Sequence, residues 1–172
     1  MTDLLGTAAA GHGVVAAFQR VVSLPSETVV GYEALARWPS LTGLNPLQVF
    51  AHAAQAGDLD ALDHACITAA ARGALAGNSS DGMLLLVNCE PTATDLDLPL
   101  DGALAEAATS FRVVFELTER GLLTDPGALL RKVEVLRSRG FLIALDDVGA
   151  HRDSLALLDI VAPDIVKLDL GL

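Results

Sequence analysis

The sequence predicts an α/β fold of parallel β-α units, led by an antiparallel hairpin. Three observations carry this. Short β-branched or leucine-rich runs alternate with longer segments of helical character, which implies parallel strands with both faces of the sheet covered. A polar residue stands at the carboxyl end of the runs, at Glu33, Asn88, Glu116, Asp146 with Asp147, and Lys167. From Asn88 onward these follow at intervals of 28, 30 and 21 residues, about one β-α unit each, so successive strands bring them to one end.

The elements follow in order. Residues 1–13 are small and mixed in character and read as a frayed lead-in, which places the domain at 14–172. V-V-A-A-F-Q-R-V-V-S-L at 14–24 and V-V-G-Y-E-A-L-A-R-W at 29–38 flank the turn signal P-S-E-T and form the hairpin. From Asn45 to Gly77 the pattern is helical. Asn45 caps a helix with Pro46 in its first turn, and Gly57 divides it from a second helix that starts near Asp58.

Met83–Asn88 is a strand, and a short alanine-rich helix follows near Asp101–Thr109. Arg112–Glu116 is the next strand, Asp125–Arg139 a helix bounded by Pro126 and Gly140, and Phe141–Leu145 a strand suited to burial on both faces. Ser154–Val161 is helical, Pro163 stops it, and Ile165–Leu168 is the last strand.

Composition narrows the function. With 172 residues, 52% of them hydrophobic, the chain suits one domain with a substantial core. A net charge of -11 repels polyanions, and 4% aromatics leave few platforms for base stacking, so long nucleic acid is not an expected partner. Cys66 and Cys89 lie in apolar runs without metal-ligand spacing and read as reduced core thiols, which fits a cytoplasmic location. No secretory signal and no apolar run long enough to span a bilayer is evident.

The stretch F-L-I-A-L-D-D-V-G at 141–149 is where the rest converges. Buried carboxylates so close together repel, and need a cation, a shared proton or solvent; capping of the next helix is the plainer reading of Asp146 and Asp147. With Glu33, Asn88, Glu116 and Lys167 gathered at the same mouth, the set offers hard oxygen donors, which suit Mg2+ or Mn2+ rather than structural zinc. Two such ions about 3.5–4 Å apart would hold a phosphate oxygen and activate a water for in-line attack on phosphorus. Metal-dependent phosphodiester hydrolysis fits this arrangement best, with Lys167 positioning the water or stabilising the charged transition state.

The segment E-A-L-A-R-W at Glu33–Trp38 resembles the signature of EAL domains, bacterial phosphodiesterases that open cyclic di-GMP to linear pGpG. The likeness continues in order through V-N at Asn88, F-E-L-T-E at Phe115–Glu119, D-D-V-G at Asp146–Gly149 and V-K-L-D at Val166–Asp169. The resemblance implies that Glu33, Asn88, Glu116 and Asp146 ligate one metal and that Asp146 and Asp147 help to hold a second. It implies a water-coordinating Lys167, a phosphate-meeting Arg37, a substrate-contacting Gln19 and a Glu119 that steadies the loop beginning at Asp146.

There are departures. His151 stands where the family has a second glycine, Arg20 replaces a proline after Gln19, and Glu90 replaces a serine near Asn88. EAL domains resemble eight-stranded β/α barrels with one reversed strand, whereas about six strands are read here. The resemblance thus implies an incomplete TIM-like (β/α) barrel without the last β-α units and their glutamate for the second metal, either a piece of a longer protein or a shortened domain completed by a partner domain or a second copy. Leu155, Leu157, Leu158 and Ile160 offer an apolar surface for a homodimer, or ordinary packing against the sheet. Beside a cyclic di-GMP phosphodiesterase stands a second reading, an inactive EAL-like module that binds cyclic di-GMP or a protein.

Overall fold

The hairpin forms where the residues place it. Strands β1 (Val15–Ser23) and β2 (Thr28–Arg37) pair antiparallel, with a register shift at Val21 and Val22. The computed structural model describes residues 4–41, 43, 45–77, 82–90, 102–118, 125–149 and 154–168. Ahead of the hairpin, the expected frayed lead-in is instead a short helix, α1 (Leu4–Ala9), whose Ala8 and Ala9 are fully buried. They pack in one cluster with Trp38, Val49, Ala53 and Leu62, a use for small residues that a reading of local sequence does not reveal.

Helix α2 (Pro46–Ala56) begins as its cap chemistry dictates, with the Asn45 side chain accepting from the Leu47 amide. It ends at Gly57, whose φ of 82° is the left-handed conformation that glycine reaches without strain. Helix α3 (Leu59–Leu75), strand β3 (Leu84–Asn88), helix α4 (Ala103–Ser110), strand β4 (Arg112–Thr118), helix α5 (Pro126–Ser138), strand β5 (Leu142–Val148), helix α6 (Ser154–Val161) and strand β6 (Ile165–Leu168) complete the order. Two strands outrun their apolar runs. β4 continues to Thr118 and β5 through both aspartates to Val148, because the backbone ladder goes on past the first charged side chain.

The six strands form one sheet in chain order, β1-β2-β3-β4-β5-β6, parallel from β2 onward. Alternation divides each strand between two faces. Leu85, Val87, Val113, Phe115, Leu117, Ile143 and Leu145 face a large cluster shared with residues of α3, α4 and α5. The other face carries a much smaller cluster of Leu86, Val114 and Ala144, onto which Val21 of β1 and Ile165 of β6 both pack. Residues of the first and last strands can share so small a patch only if the sheet curls into a half-barrel, which is the incomplete TIM-like architecture expected.

No described helix is long and apolar enough to cross a membrane. Both cysteines are free, and burial pushes the Cys66 thiol up to about 12.

The interior also holds charge. Asp63 of α3 and Lys132 of α5 are each 3% exposed, with Nζ 3.7 Å from Oδ2. Burial raises the Asp63 carboxyl from 3.8 to about 6, opposed by Lys132 and the Glu90 amide and aided by the nearby Glu90 carboxylate. A group whose folded pKa is raised contributes stability that is complete below its unfolded pKa and lost as pH climbs through the folded one. Stability of the native chain is therefore expected to fall by about 3 kcal/mol between about pH 4 and pH 7 relative to Asp63→Asn. Urea titrations of both across that range would measure it, and a pH-independent difference would contradict it.

Close packing of β2 on β3 gives a second test. A methyl group on Gly31 would stand 2.5 Å from the Leu84 carbonyl oxygen. Gly31→Ala is expected to cost about 1–3 kcal/mol, read as a lower urea midpoint at unchanged slope.

Candidate functional site

On the inner face, above Leu86, Val114 and Ala144, apolar side chains give way to charge at the carboxyl ends of the strands. The registers explain the arrangement. Asn88 is the neighbour of Glu116, whereas Glu33 is level with Leu86 and Asp146 with Thr118, each offset by two residues from the Asn88–Glu116 row. The offset is the stagger of a tilted, curling sheet, and side chains on the same face converge across it.

The convergence is centred on Lys167. Its Nζ lies 2.7 Å from Glu116 Oε1, 3.0 Å from Asp146 Oδ2 and 3.2 Å from Glu33 Oε1. In a flat sheet β2 and β6 would be four spacings apart, roughly 19 Å, so this contact measures the curl directly. The Glu116 side chain is completely buried, while those of Asp146, Glu33 and Lys167 are 20%, 18% and 26% exposed.

A bulge sets the last of these contacts. Leu145 pairs with Val166 and Val148 with Leu168, so two residues of β5, Asp146 and Asp147, stand opposite the single residue Lys167. Asp147 takes the extra place with φ at 59°, and its amide donates to Asp146 Oδ1 at 2.9 Å. Aspartate is among the few residues other than glycine that enter this region readily, so the D-D pair is suited to the bulge itself as well as to its chemistry.

Electrostatically the cluster lacks positive charge. Burial, with Glu33 and Asp146 adding to it, raises the Glu116 carboxyl from 4.5 to about 7 against the pull of Lys167. Burial pulls the Lys167 ammonium down, but Glu116 and Asp146 outweigh this and hold it above the ordinary lysine value. Neither Glu116 oxygen has a well-directed hydrogen bond among the described residues, and the 2.7 Å approach of Lys167 to Oε1 is an ion pair without that geometry.

A fully buried carboxylate whose described partner is a single ammonium, set among other hard oxygen donors, fits a divalent cation chemically. As placed, no group of three or more histidine, cysteine, aspartate or glutamate side chains among the described residues is arranged to hold one, for the centre of the three carboxylates is taken by the ammonium.

The other expected residues stand around this centre. Exposed Asn88 lines a cavity of about 370 Å³ with Arg37, Glu90, Thr118, Leu47 and Phe50, between the strand ends and α2. Arg37 is exposed and its Nη1 donates 2.8 Å to the Ala36 carbonyl, so the guanidinium is turned partly onto its own backbone. Gln19 is exposed and pairs in register with Glu33. Asp147 is exposed, and Glu119 and His151 lie outside the described residues.

Sequence reasoning did not single out Asp63 and Lys132, which flank the chain just beyond Asn88. A signal existed: Lys132 interrupts the buried helical stripe Leu129, Val133, Leu136, and Asp63 the stripe Ile67, Ala70, Ala74.

A family model described as EAL domain matches residues 4–172. The chain is 28% identical over 177 residues to the probable cyclic di-GMP phosphodiesterase PdeG of Escherichia coli K12, a match that covers 97% of this chain and 34% of that protein, about a third of the relative's length. Among solved structures, the Klebsiella pneumoniae BlrP1 complex with manganese and cyclic di-GMP superposes with a TM-score of 0.74 at 27% identity, covering 94% of this chain and 41% of that one. The Xanthomonas citri FimX EAL domain, in complex with cyclic di-GMP, gives 0.75 at 22% identity, with 97% and 68% covered, and shares the fold.

Removing the central ammonium leaves three carboxylates facing one another. Lys167→Met is expected to lower the stability of the metal-free protein by about 1–3 kcal/mol, and Glu116→Gln added to it to recover most of that loss. Urea midpoints of the two variants would show it; a Lys167→Met protein as stable as the parent would mean that the carboxylates do not depend on the lysine.

Proposed function

Because this chain belongs to the EAL domain family, we propose that it acts in cyclic di-GMP signalling as a metal-dependent phosphodiesterase that opens the cyclic dinucleotide to linear pGpG. The observation that carries this is the approach of Glu33, Glu116 and Asp146, each within 3.2 Å of Lys167 Nζ, at one mouth of the half-barrel. In this reading Glu33, Asn88, Glu116, Asp146 and Asp147 hold Mg2+ or Mn2+. When bound, such ions polarise a phosphoryl oxygen and lower the pKa of water.

The chain's own groups do the rest. Lys167, displaced from the carboxylates it neutralises here, orients the attacking water and offsets charge on the phosphoryl oxygens. Arg37, released from the Ala36 carbonyl, pairs with a substrate phosphate as a planar fork. Gln19, beside Glu33 in the hairpin, contacts the substrate, and Glu119 steadies the loop after β5. Buried Glu116 above the apolar layer of Leu86, Val114 and Ala144 keeps the floor of the site dry, which strengthens each of these interactions.

A cytoplasmic setting fits the free thiols and the soluble messenger. A second copy or a completing domain is the remaining partner of this reading, supported by the exposure of Ile160, Val166 and Leu168 at the β6 side. A binding module without turnover is favoured by one observation, the ammonium at the centre of the carboxylates.

Incubation of the protein with cyclic di-GMP and Mg2+ or Mn2+, with products separated by chromatography, tests the proposal. Linear pGpG from the native chain, and a loss of about 10²-fold or more in Glu33→Ala and in Lys167→Met, is the expected result. Cyclic di-GMP bound by the native chain in calorimetry, with no product over days, would replace hydrolysis by the binding reading.

A further inference from the structure

The β3 ladder ends beside the site. Asn88 is the last residue paired with β4, and the Cys89 amide adds one more bond to the Glu116 carbonyl at 3.0 Å. The next residue, Glu90, has left the sheet, yet both of its backbone groups are held. Its amide donates to Asp63 Oδ1 at 2.9 Å, and its carbonyl accepts from Lys132 Nζ at 2.6 Å. The two gripping side chains, 4% exposed, are themselves an ion pair at 3.7 Å, and Cys89 Sγ reaches Asp63 Oδ2 at 3.7 Å.

A buried ion pair is a poor device for stability alone, since apolar side chains of similar volume do as well or better. What leucine or methionine at 63 and 132 could not supply is one acceptor and one donor for a single residue whose ladder partners have run out. That residue is two beyond Asn88. We infer that Asp63 and Lys132 are positioning residues, which fix the chain at Glu90 from helices α3 and α5 and thereby set where the Asn88 carboxamide stands beside Glu116. This extends the proposed metal site by the groups that hold one of its donors, and its importance for metal binding rests on that reading.

The test compares the native chain with Asp63→Leu/Lys132→Met, which removes the acceptor, the donor and both charges together and so leaves no lone buried ion. Mn2+ affinity is measured by electron paramagnetic resonance, and the Asn88 side-chain amide and the Glu90 backbone amide are followed by NMR and hydrogen exchange. The expected result is Mn2+ affinity lower by about 10-fold or more, displaced Asn88 signals and faster exchange at Glu90, with Leu85 and Leu86 exchange unchanged. Lys132→Arg, which keeps charge and donor, is expected to retain most of the affinity, and in an Asn88→Ala background the double replacement is expected to cost no further affinity.

Native Mn2+ affinity together with unmoved Asn88 signals in the double variant would overturn the inference and leave the pair a packing feature. Should the native chain bind no Mn2+, the metal reading fails by itself, and the Asn88 and Glu90 signals still decide the inference. Should the double variant not fold, Lys132→Gln is read in the same way, with the same direction expected.

Discussion

The structure turns on one ammonium group shared by three carboxylates. Lys167 faces Glu33, Glu116 and Asp146, drawn from three different strands, one of them the second strand of the sheet. Three negative charges against one positive leave an excess, and at effective dielectric constants near 20 each like-charged pair about 4 Å apart costs about 4 kcal/mol. Burial first, and Glu33 and Asp146 after it, raise the Glu116 carboxyl to about 7. The geometry of this cluster exists only because the sheet curls.

The two faces of that sheet have different duties. The outer face is ordinary core, with Phe115 and Phe141 rings edge to face at 5.1 Å and the helices covering it. The inner face is thin among the described residues, with Leu86, Val114 and Ala144 buried and Val21, Leu84, Leu142 and Ile165 packed against them, and it serves as an apolar floor under the charges. A full barrel interior is normally packed in layers, and here the charged groups stand directly above this small apolar cluster.

Much of this was legible in the residues. The hairpin, the Asn45 cap, the Pro126 helix start, the order of strands and helices, and the meeting of Glu33, Glu116, Asp146 and Lys167 all follow from local chemistry and spacing. Other features were not, for reasons that are physical rather than accidental. A strand is read as ending at its first charged side chain, but the ladder is made by backbone, so β5 ran on through Asp146 and Asp147 and needed a bulge that no periodicity announces. The burial of Asp63 and Lys132 depends on two helices and a strand end meeting, and only that meeting converts charged residues on helical stripes into a clamp. Helix α1 has six residues, too few to stand on alanine's propensity alone, and it is held by the packing of Ala8 and Ala9 with Trp38, Val49, Ala53 and Leu62.

Sheet order identical to chain order also has a temporal meaning. Each strand after the first docks against the one made just before it, so the sheet can grow from the amino end as the chain leaves the ribosome, with no strand waiting for a distant partner. The charged cluster is the exception, because Glu33 enters with the second strand and Lys167 with the sixth. Until β6 docks, Glu33, Glu116 and Asp146 stand without the Lys167 ammonium, which that strand delivers. The contact that holds the curl is thus made only when β6 docks.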